Sequence, residues 1–299
     1  MEINDAEKLL AGTQYESFVG TLNVITLQNY VYDNHFKMGN DKLGYFSIKI
    51  RKTEEKNTKA SINSLKEMND IENYINNIIG IIEKDGYTLL VSEWVDGIQP
   101  IDIKRDTLPV FFAKLATFNK NNPTKGPFTS MYADGRYFNS VSEMIDWETN
   151  QHKKYFSEKL DTEAILSVME SLKKGIPCII NEDMNCGNFI VANDGKCKII
   201  DTEWIIKGSN LYQFQHFDYF GFGGKKWYNI TEEAEDCYRA YFEALGTSNV
   251  EANGQIKAIE LLNILRENTQ WKFSGNGDDN EIERRVGTIL GKENYLSFT

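Results

Sequence analysis

Three oxygen-bearing side chains raise the first question of chemistry. Asp183 lies just past the apolar run Cys178-Ile-Ile-Asn181, Asn188 follows five residues later, and Asp201 thirteen after that. Between Asn188 and Asp201 the chain reads Phe189 to Ala192, then Asn193-Asp194-Gly195-Lys196, then Cys197 to Ile200. That is strand, turn, strand, because Asp-Gly adopts the positive φ of a tight hairpin. Folding the hairpin returns Asp201 to the side of Asn188, so the three groups converge at one end of a small sheet. Magnesium prefers oxygen ligands and usually takes one or two carboxylates plus substrate phosphates. An Asp and an Asn can hold it and leave positions for ATP oxygens. Phosphoryl transfer also needs a carboxylate that orients the acceptor hydroxyl and receives its proton. Asp183, between the strand end and Asn188, suits that part.

The elements that must position this unit divide the chain. The first hundred residues are strand-rich. Thr21 to Leu27, Tyr30 to Met38 and Tyr45 to Arg51 are β-branched and aromatic runs, and Gly39 to Gly44 between the last two is a turn. Ile62, Leu65, Met68, Ile71, Ile75 and Ile78 recur at helical spacing and predict a helix over Ser61 to Ile79. Gly80 to Glu83 and Tyr87 to Val95 predict two further strands about the turn Lys84-Asp85-Gly86. Helices dominate from Leu108 onward: Leu108 to Asn119, Ser140 to Phe156, Thr162 to Lys174, Glu232 to Leu245 and Gly254 to Glu267.

Composition bounds the partners. The 299 residues are 41% hydrophobic and carry a net charge of −11. An acidic chain lacks the Lys/Arg concentration that phosphate backbones require, so no nucleic acid is expected as partner. Cys178, Cys186, Cys197 and Cys237 form no C-x-x-C pair, and three histidines make a structural zinc site unexpected. Scattered cysteines suit a reducing compartment. The acidic N-terminus is unlike a signal peptide, and no apolar run reaches the roughly 20 residues that cross a bilayer. A cytoplasmic chain with no membrane partner is the expectation.

The stretch Asn181-Glu182-Asp183-Met184-Asn185-Cys186-Gly187-Asn188, followed by Ile200-Asp201-Thr202-Glu203, resembles the catalytic loop of the aminoglycoside phosphotransferase and choline kinase group of the protein-kinase-like superfamily. That group carries His-Gly-Asp-x-His-x-x-Asn and then Ile-Asp-x-Glu. The resemblance implies Asp183 as catalytic base, and Asn188 and Asp201 as Mg2+ ligands. Ile48-Lys49-Ile50 resembles the lysine strand, which implies that Lys49 contacts the α- and β-phosphates of ATP. Glu67 on the following helix is the implied partner of Lys49, with Glu72 in reserve. Leu89 to Gly97 resembles the hinge, where backbone groups of Glu93 and Val95 would hold the adenine edge, and Phe112 to Asn119 resembles the helix after it. The implied fold is α+β and two-lobed: residues 1–97 form a small antiparallel-sheet lobe with one helix, and 98–299 a larger helical lobe. The implied activity is transfer of the γ-phosphate of ATP to a hydroxyl of a small molecule, such as an amino alcohol, aminocyclitol or sugar.

The sequence also departs from that pattern. Asn181 and Asn185 stand where the group has histidines, and Leu27-Gln28-Asn29 replaces a glycine-rich phosphate loop. Tyr212-Gln213-Phe214 and Asp218 lie where an aspartate usually braces the catalytic loop. These departures motivate the rival expectation of a kinase-like protein that binds nucleotide or a partner without turnover. A protein kinase is a third reading, opposed by the lack of an activation segment ending in Ala-Pro-Glu. Trp94, Trp204 and Trp227 could line a pocket for a cationic head group, but such residues are more often core. His216 reads as a packed side chain, and Cys186 has no feature that would make it reactive.

Overall fold

Residues 1–27, 30–68, 74–98, 106–223, 229–275 and 277–296 are described by a computed structural model of the chain. The first lobe is a five-stranded antiparallel sheet of β1 (Asn23–Leu27), β2 (Tyr30–Asn40), β3 (Gly44–Lys52), β4 (Ile78–Lys84) and β5 (Tyr87–Glu93), in the order β1-β2-β3-β5-β4. Side chains alternate faces along a strand, and the register Phe36↔Ile48↔Val91 and Ile50↔Leu89 puts all five residues on one face. That face is buried against Ala6, Leu9 and Leu10 of the helix α1 (Ile3–Leu10) and against Tyr15 and Phe18. The opposite face carries the His35↔Lys49 pair and Arg51, turned toward the second lobe. The β2–β3 turn requires a glycine: Gly39 has φ 118°, and a Cβ there would collide with the carbonyl oxygen of Gly44.

One helix, α2 (Lys56–Glu67), follows β3 and lies on the second lobe. Its Ser61 hydroxyl donates to the carbonyl oxygen of Thr202 at 2.7 Å. This corrects the expected helix over Ser61 to Ile79. Met68 is extended, residues 69–73 lie outside the described residues, and Ile78 begins β4. Ile75 is fully buried, and its apolar spacing reflects core contact from non-helical backbone.

The second lobe begins at β6 (Gly97–Ile98), which pairs with β8 (Phe189–Ala192); β8 pairs in turn with β9 (Cys197–Ile199). The hairpin of β8 and β9 is the one read from Asp194-Gly195. A second ribbon joins β7 (Pro177–Asn181) to β10 (Ile205–Ser209), a strand the periodicity did not single out. Helices α3 (Thr107–Asn121) and α6 (Ala234–Leu245) pack together over Phe112, Phe214, Tyr241 and Phe242, all fully buried or nearly so. Around them lie α4 (Val141–Lys153), α5 (Thr162–Met169), the 26-residue α7 (Asn249–Ser274) and α8 (Asp279–Gly291). The helix expected over Thr162 to Lys174 tightens to 3-10 geometry at Glu170. Among the described residues no helix is long and apolar enough to cross a membrane.

Candidate active site

Buried Ile179 and Ile180 anchor β7, and the strand ends at Asn181. The Asn181 side chain faces two ways. Its Oδ1 accepts the Asp183 N–H at 2.9 Å, and its Nδ2 donates to the Asp201 carbonyl oxygen at 2.7 Å. The amide therefore ties the loop to the strand end at the position where the motif it resembles has a histidine. Asn185 behaves alike: its Oδ1 accepts the Gly187 N–H at 2.9 Å and its Nδ2 donates to Asp183 Oδ1 at 3.0 Å. Asn188 closes the loop, donating through Nδ2 to the Asp183 carbonyl oxygen at 2.7 Å and to Asp183 Oδ2 at 2.9 Å. The Ile200 N–H donates to the Asn188 carbonyl oxygen at 2.9 Å, so the hairpin returns Asp201 beside Asn188.

Lys49 reaches this unit from the sheet. Its Nζ lies 2.8 Å from Asp201 Oδ1 and 2.7 Å from Glu203 Oε1. Arg51, two residues on and therefore on the same face of β3, donates to Glu203 Oε2 at 2.8 Å. Burial alone would push the Lys49 ammonium down, but the Asp201 and Glu203 carboxylates outweigh it and hold it above its usual value. Asp201 shows the converse: burial pushes it up, and Lys49 brings it below the ordinary carboxylate range. The neighbouring His35 is driven down to about 3, by burial first and then by the Lys49 charge.

The structure does not join Glu67 to Lys49. Glu67 ends α2 over β10, where its carboxylate takes Lys207 Nζ at 2.6 Å, and Glu203 fills the place beside Lys49. Glu72 lies outside the described residues. At the hinge, the Glu93 N–H is committed to the Asn77 carbonyl oxygen at 2.8 Å. Val95 is half-buried, and among the described residues its backbone makes no hydrogen bond. Trp94 is not core: it is half-buried, donates Nε1–H to Asp96 Oδ1 at 2.7 Å and lies under Lys37. Trp204 is half-buried beside Thr129 and Tyr137. Trp227 and the phosphate-loop residues Gln28 and Asn29 lie outside the described residues.

His216 departs furthest from its sequence reading. Its Nε2 lies 2.8 Å from Asp183 Oδ1, so it is a partner of the central carboxylate. No sequence signal marks it, because 33 residues and a change of element separate the two. Beyond it opens a cavity of about 220 Å3 lined by His216, Tyr132, Glu260, Arg266, Glu267 and Trp271. Glu260 is buried, with Tyr238 donating its hydroxyl at 2.8 Å; burial pushes its carboxyl up to about 8.

Behind the loop sits a cluster that sequence reading passed over. Glu182 precedes Asp183 and is fully buried. It accepts from the Ser130 hydroxyl and the Met131 N–H, each at 2.7 Å, and from Arg266 at 3.4 Å. Arg266 also takes Glu148 at 2.7 and 3.2 Å and stacks 4.0 Å from the Tyr132 ring centroid. Burial pushes Glu182 up to about 7, although Arg266 opposes it. Gln213 and Asp218, near the place of the bracing aspartate, are engaged elsewhere. Gln213 donates to Asn119, and Asp218 accepts the Phe222 and Gly223 N–H groups.

The donors for a metal fit magnesium. Among the described residues the hydrogen bonds of Asn188 run through Nδ2 and the backbone, and those of the Asp201 carboxylate through Oδ1. Asn188 Oδ1 and Asp201 Oδ2 remain as hard oxygen donors, one amide and one carboxylate, a set that needs nucleotide oxygens and water to complete an octahedron. No group of three or more His, Cys, Asp or Glu suited to a metal occurs among the described residues.

Comparison with protein-family models gives no match, and comparison of the sequence with curated proteins gives none either. Solved structures do match. A thermostable mutant of aminoglycoside phosphotransferase APH(4)-Ia, in ternary complex with ADP and hygromycin B, is 15% identical over 96% of this chain and 98% of its own, with a TM-score of 0.60. Plasmodium vivax ethanolamine kinase is 15% identical over 95% of this chain and 84% of its own, TM-score 0.52. An aminoglycoside phosphotransferase from Alicyclobacillus acidocaldarius is 10% identical over 92% and 91%, TM-score 0.51. Identities this low speak for the fold alone, and on that ground the chain has the two-lobed, α+β protein-kinase-like fold of these small-molecule kinases.

Proposed function

We propose that the chain transfers the γ-phosphoryl group of ATP to a hydroxyl of a small molecule, with Asp183 as the base. The observation that carries this reading is the joining of two half-sites through Asn181. One half holds Asp183 beside a cavity, and the other presents Asp201 to Lys49. In the proposed reaction the acceptor oxygen bonds to the γ-phosphorus and its proton passes to the Asp183 carboxylate. The bond to the bridging oxygen breaks, and its electron pair leaves with ADP. Lys49 meets the α- and β-phosphates, and the Val95 backbone and Glu93 carbonyl meet the adenine edge. Asn188 and Asp201 would hold Mg2+, which when bound neutralises phosphate charge.

We place the acceptor, an amine-bearing alcohol, in this cavity. Its carboxyls are already engaged: Glu267 pairs with Arg285 at 2.8 Å, Arg285 also lies over the Trp271 ring, and burial raises Glu260 to about 8, so Glu260 meets the acceptor as a hydrogen-bonding group. That the similar structures include an ethanolamine kinase and an aminoglycoside phosphotransferase with hygromycin B bound agrees with such an acceptor.

ADP release is the test, measured with ATP and magnesium across amino alcohols, aminocyclitols and sugars. Transfer to at least one amine-bearing alcohol is expected, and Asp183→Ala should lower the rate at least about 100-fold. ATP binding with no turnover on any acceptor, equal in wild type and variant, would replace this reading with that of a catalytically silent nucleotide binder.

A further inference from the structure

We propose that His216 is a positioning residue for Asp183, fixing which carboxylate oxygen receives the proton of the acceptor hydroxyl. The inference rests on the phosphotransferase reading above and deepens it. A carboxylate can only accept hydrogen bonds, so the His216 nitrogen at 2.8 Å from Asp183 Oδ1 must be the protonated one. Each carboxylate oxygen accepts about two hydrogen bonds. Among the described residues, Oδ1 already takes Asn185 Nδ2 and His216 Nε2, whereas Oδ2 takes Asn188 Nδ2 alone. His216 thus fills Oδ1 and leaves one acceptor position on Oδ2. That oxygen is the one available to an incoming hydroxyl, and Asn188 holds it on the metal side of the loop.

The imidazole is placed for this from outside the loop. The chain has three histidines. His35 lies in the sheet lobe beside Lys49, and His152 is buried on α4 against Thr269 and Glu148. Only His216 reaches Asp183, and it does so where Asn181 and Asn185 have removed both loop imidazoles expected from the resemblance. Its backbone is pinned. The Ile230 N–H donates to the His216 carbonyl oxygen at 3.0 Å. Buried Phe214 and Phe217 flank it, and Asn263 of α7 donates to both of their carbonyl oxygens, at 3.1 and 3.2 Å. His216 also lines the cavity proposed for the acceptor. The same ring therefore faces the substrate on one side and the base on the other.

Steady-state kinetics on the full chain test the idea. His216→Ala should lower kcat about 10- to 100-fold and leave KM for ATP within about twofold. His216→Gln, whose amide nitrogen reaches the place of Nε2, should regain most of the rate, while the shorter His216→Asn should not. Imidazole added to His216→Ala should restore activity, which a merely structural ring would not allow. Independently of turnover, nitrogen-15 NMR of the wild type should show the His216 Nε2–H form, with its signal shifted in Asp183→Ala. Wild-type kcat in His216→Ala, equal loss in the Gln and Asn variants without imidazole rescue, or an Nδ1–H neutral ring would each overturn the proposal. Activity lost in Asp183→Ala but kept in His216→Ala would overturn it and leave the phosphotransferase reading standing. A wild type that transfers to no acceptor would end both.

Discussion

Two ionic clusters flank Asp183, and water reaches them differently. Toward the sheet lobe, the Lys49, Asp201 and Glu203 side chains are 11, 20 and 29% exposed. On the far side, those of Arg266, Glu148 and Glu182 are 4, 2 and 0% exposed. Both contain a cation shared by two carboxylates. Partial exposure lowers the cost of separating a pair, so Lys49 can exchange a carboxylate for another anionic partner. The sealed cluster cannot exchange anything, since each charge is stranded if its partner leaves. One cluster is built to be rearranged by a ligand and the other to hold the loop in place.

The comparison breaks first at Arg266. Arg266→Met should cost about 3–5 kcal/mol, because Glu148 and Glu182 are left buried without their cation; a thermal melt should show a midpoint lower by roughly 10 °C. If the melt is unchanged, the cluster is not holding the loop. Lys49→Met should do the reverse: a small change in the melt, but ATP binding by calorimetry weaker by roughly 10- to 100-fold, the loss of one or two charge-assisted hydrogen bonds. The finest test is pH. Burial raises the folded-state pKa of Glu182 to about 7 from an ordinary value of 4.5. A raised pKa favours the fold while the group stays protonated, so this contribution is complete below pH 4.5 and is lost as pH rises through 7. The difference is on the order of 3 kcal/mol across that window. Glu182→Gln should lack it, so the gap between variant and wild type in urea midpoints should shift in favour of the variant from pH 5 to pH 8.

The sequence made the Asp183–Asp201 unit readable and the surroundings of His216 opaque. Asp183, Asn188 and Asp201 sit within one strand-loop-hairpin unit, where local spacing dictates geometry. Lys49 is placed by the resemblance of Ile48-Lys49-Ile50 to the lysine strand, whereas Arg51, two residues on along the same face, goes unread. Glu203 stands in the motif already quoted, yet the resemblance points instead to Glu67, a glutamate on the helix after the lysine strand, and helical periodicity overruns that helix toward Ile78. Buried Ile75 made non-helical backbone look like helix. His216, Arg266 and Glu182 come together across 33 to 84 residues of separation. Periodicity cannot see such meetings, and a buried Glu inside a catalytic loop reads as ordinary until Arg266 is found beside it. Helix α1 had apolar positions at Ala6, Leu9 and Leu10, a short signal that only its docking on the sheet makes meaningful.

Asn181 has a consequence of its own. One short amide bonds the Asp183 N–H and the Asp201 carbonyl, so it acts as a gauge block between the loop that carries Asp183 and the strand end that carries Asp201. Their separation is set when the chain folds and does not wait for ATP to arrive. The ordering entropy of that gap is therefore met during folding, and in the proposed reaction more of the nucleotide's binding energy is left for aligning the reacting atoms.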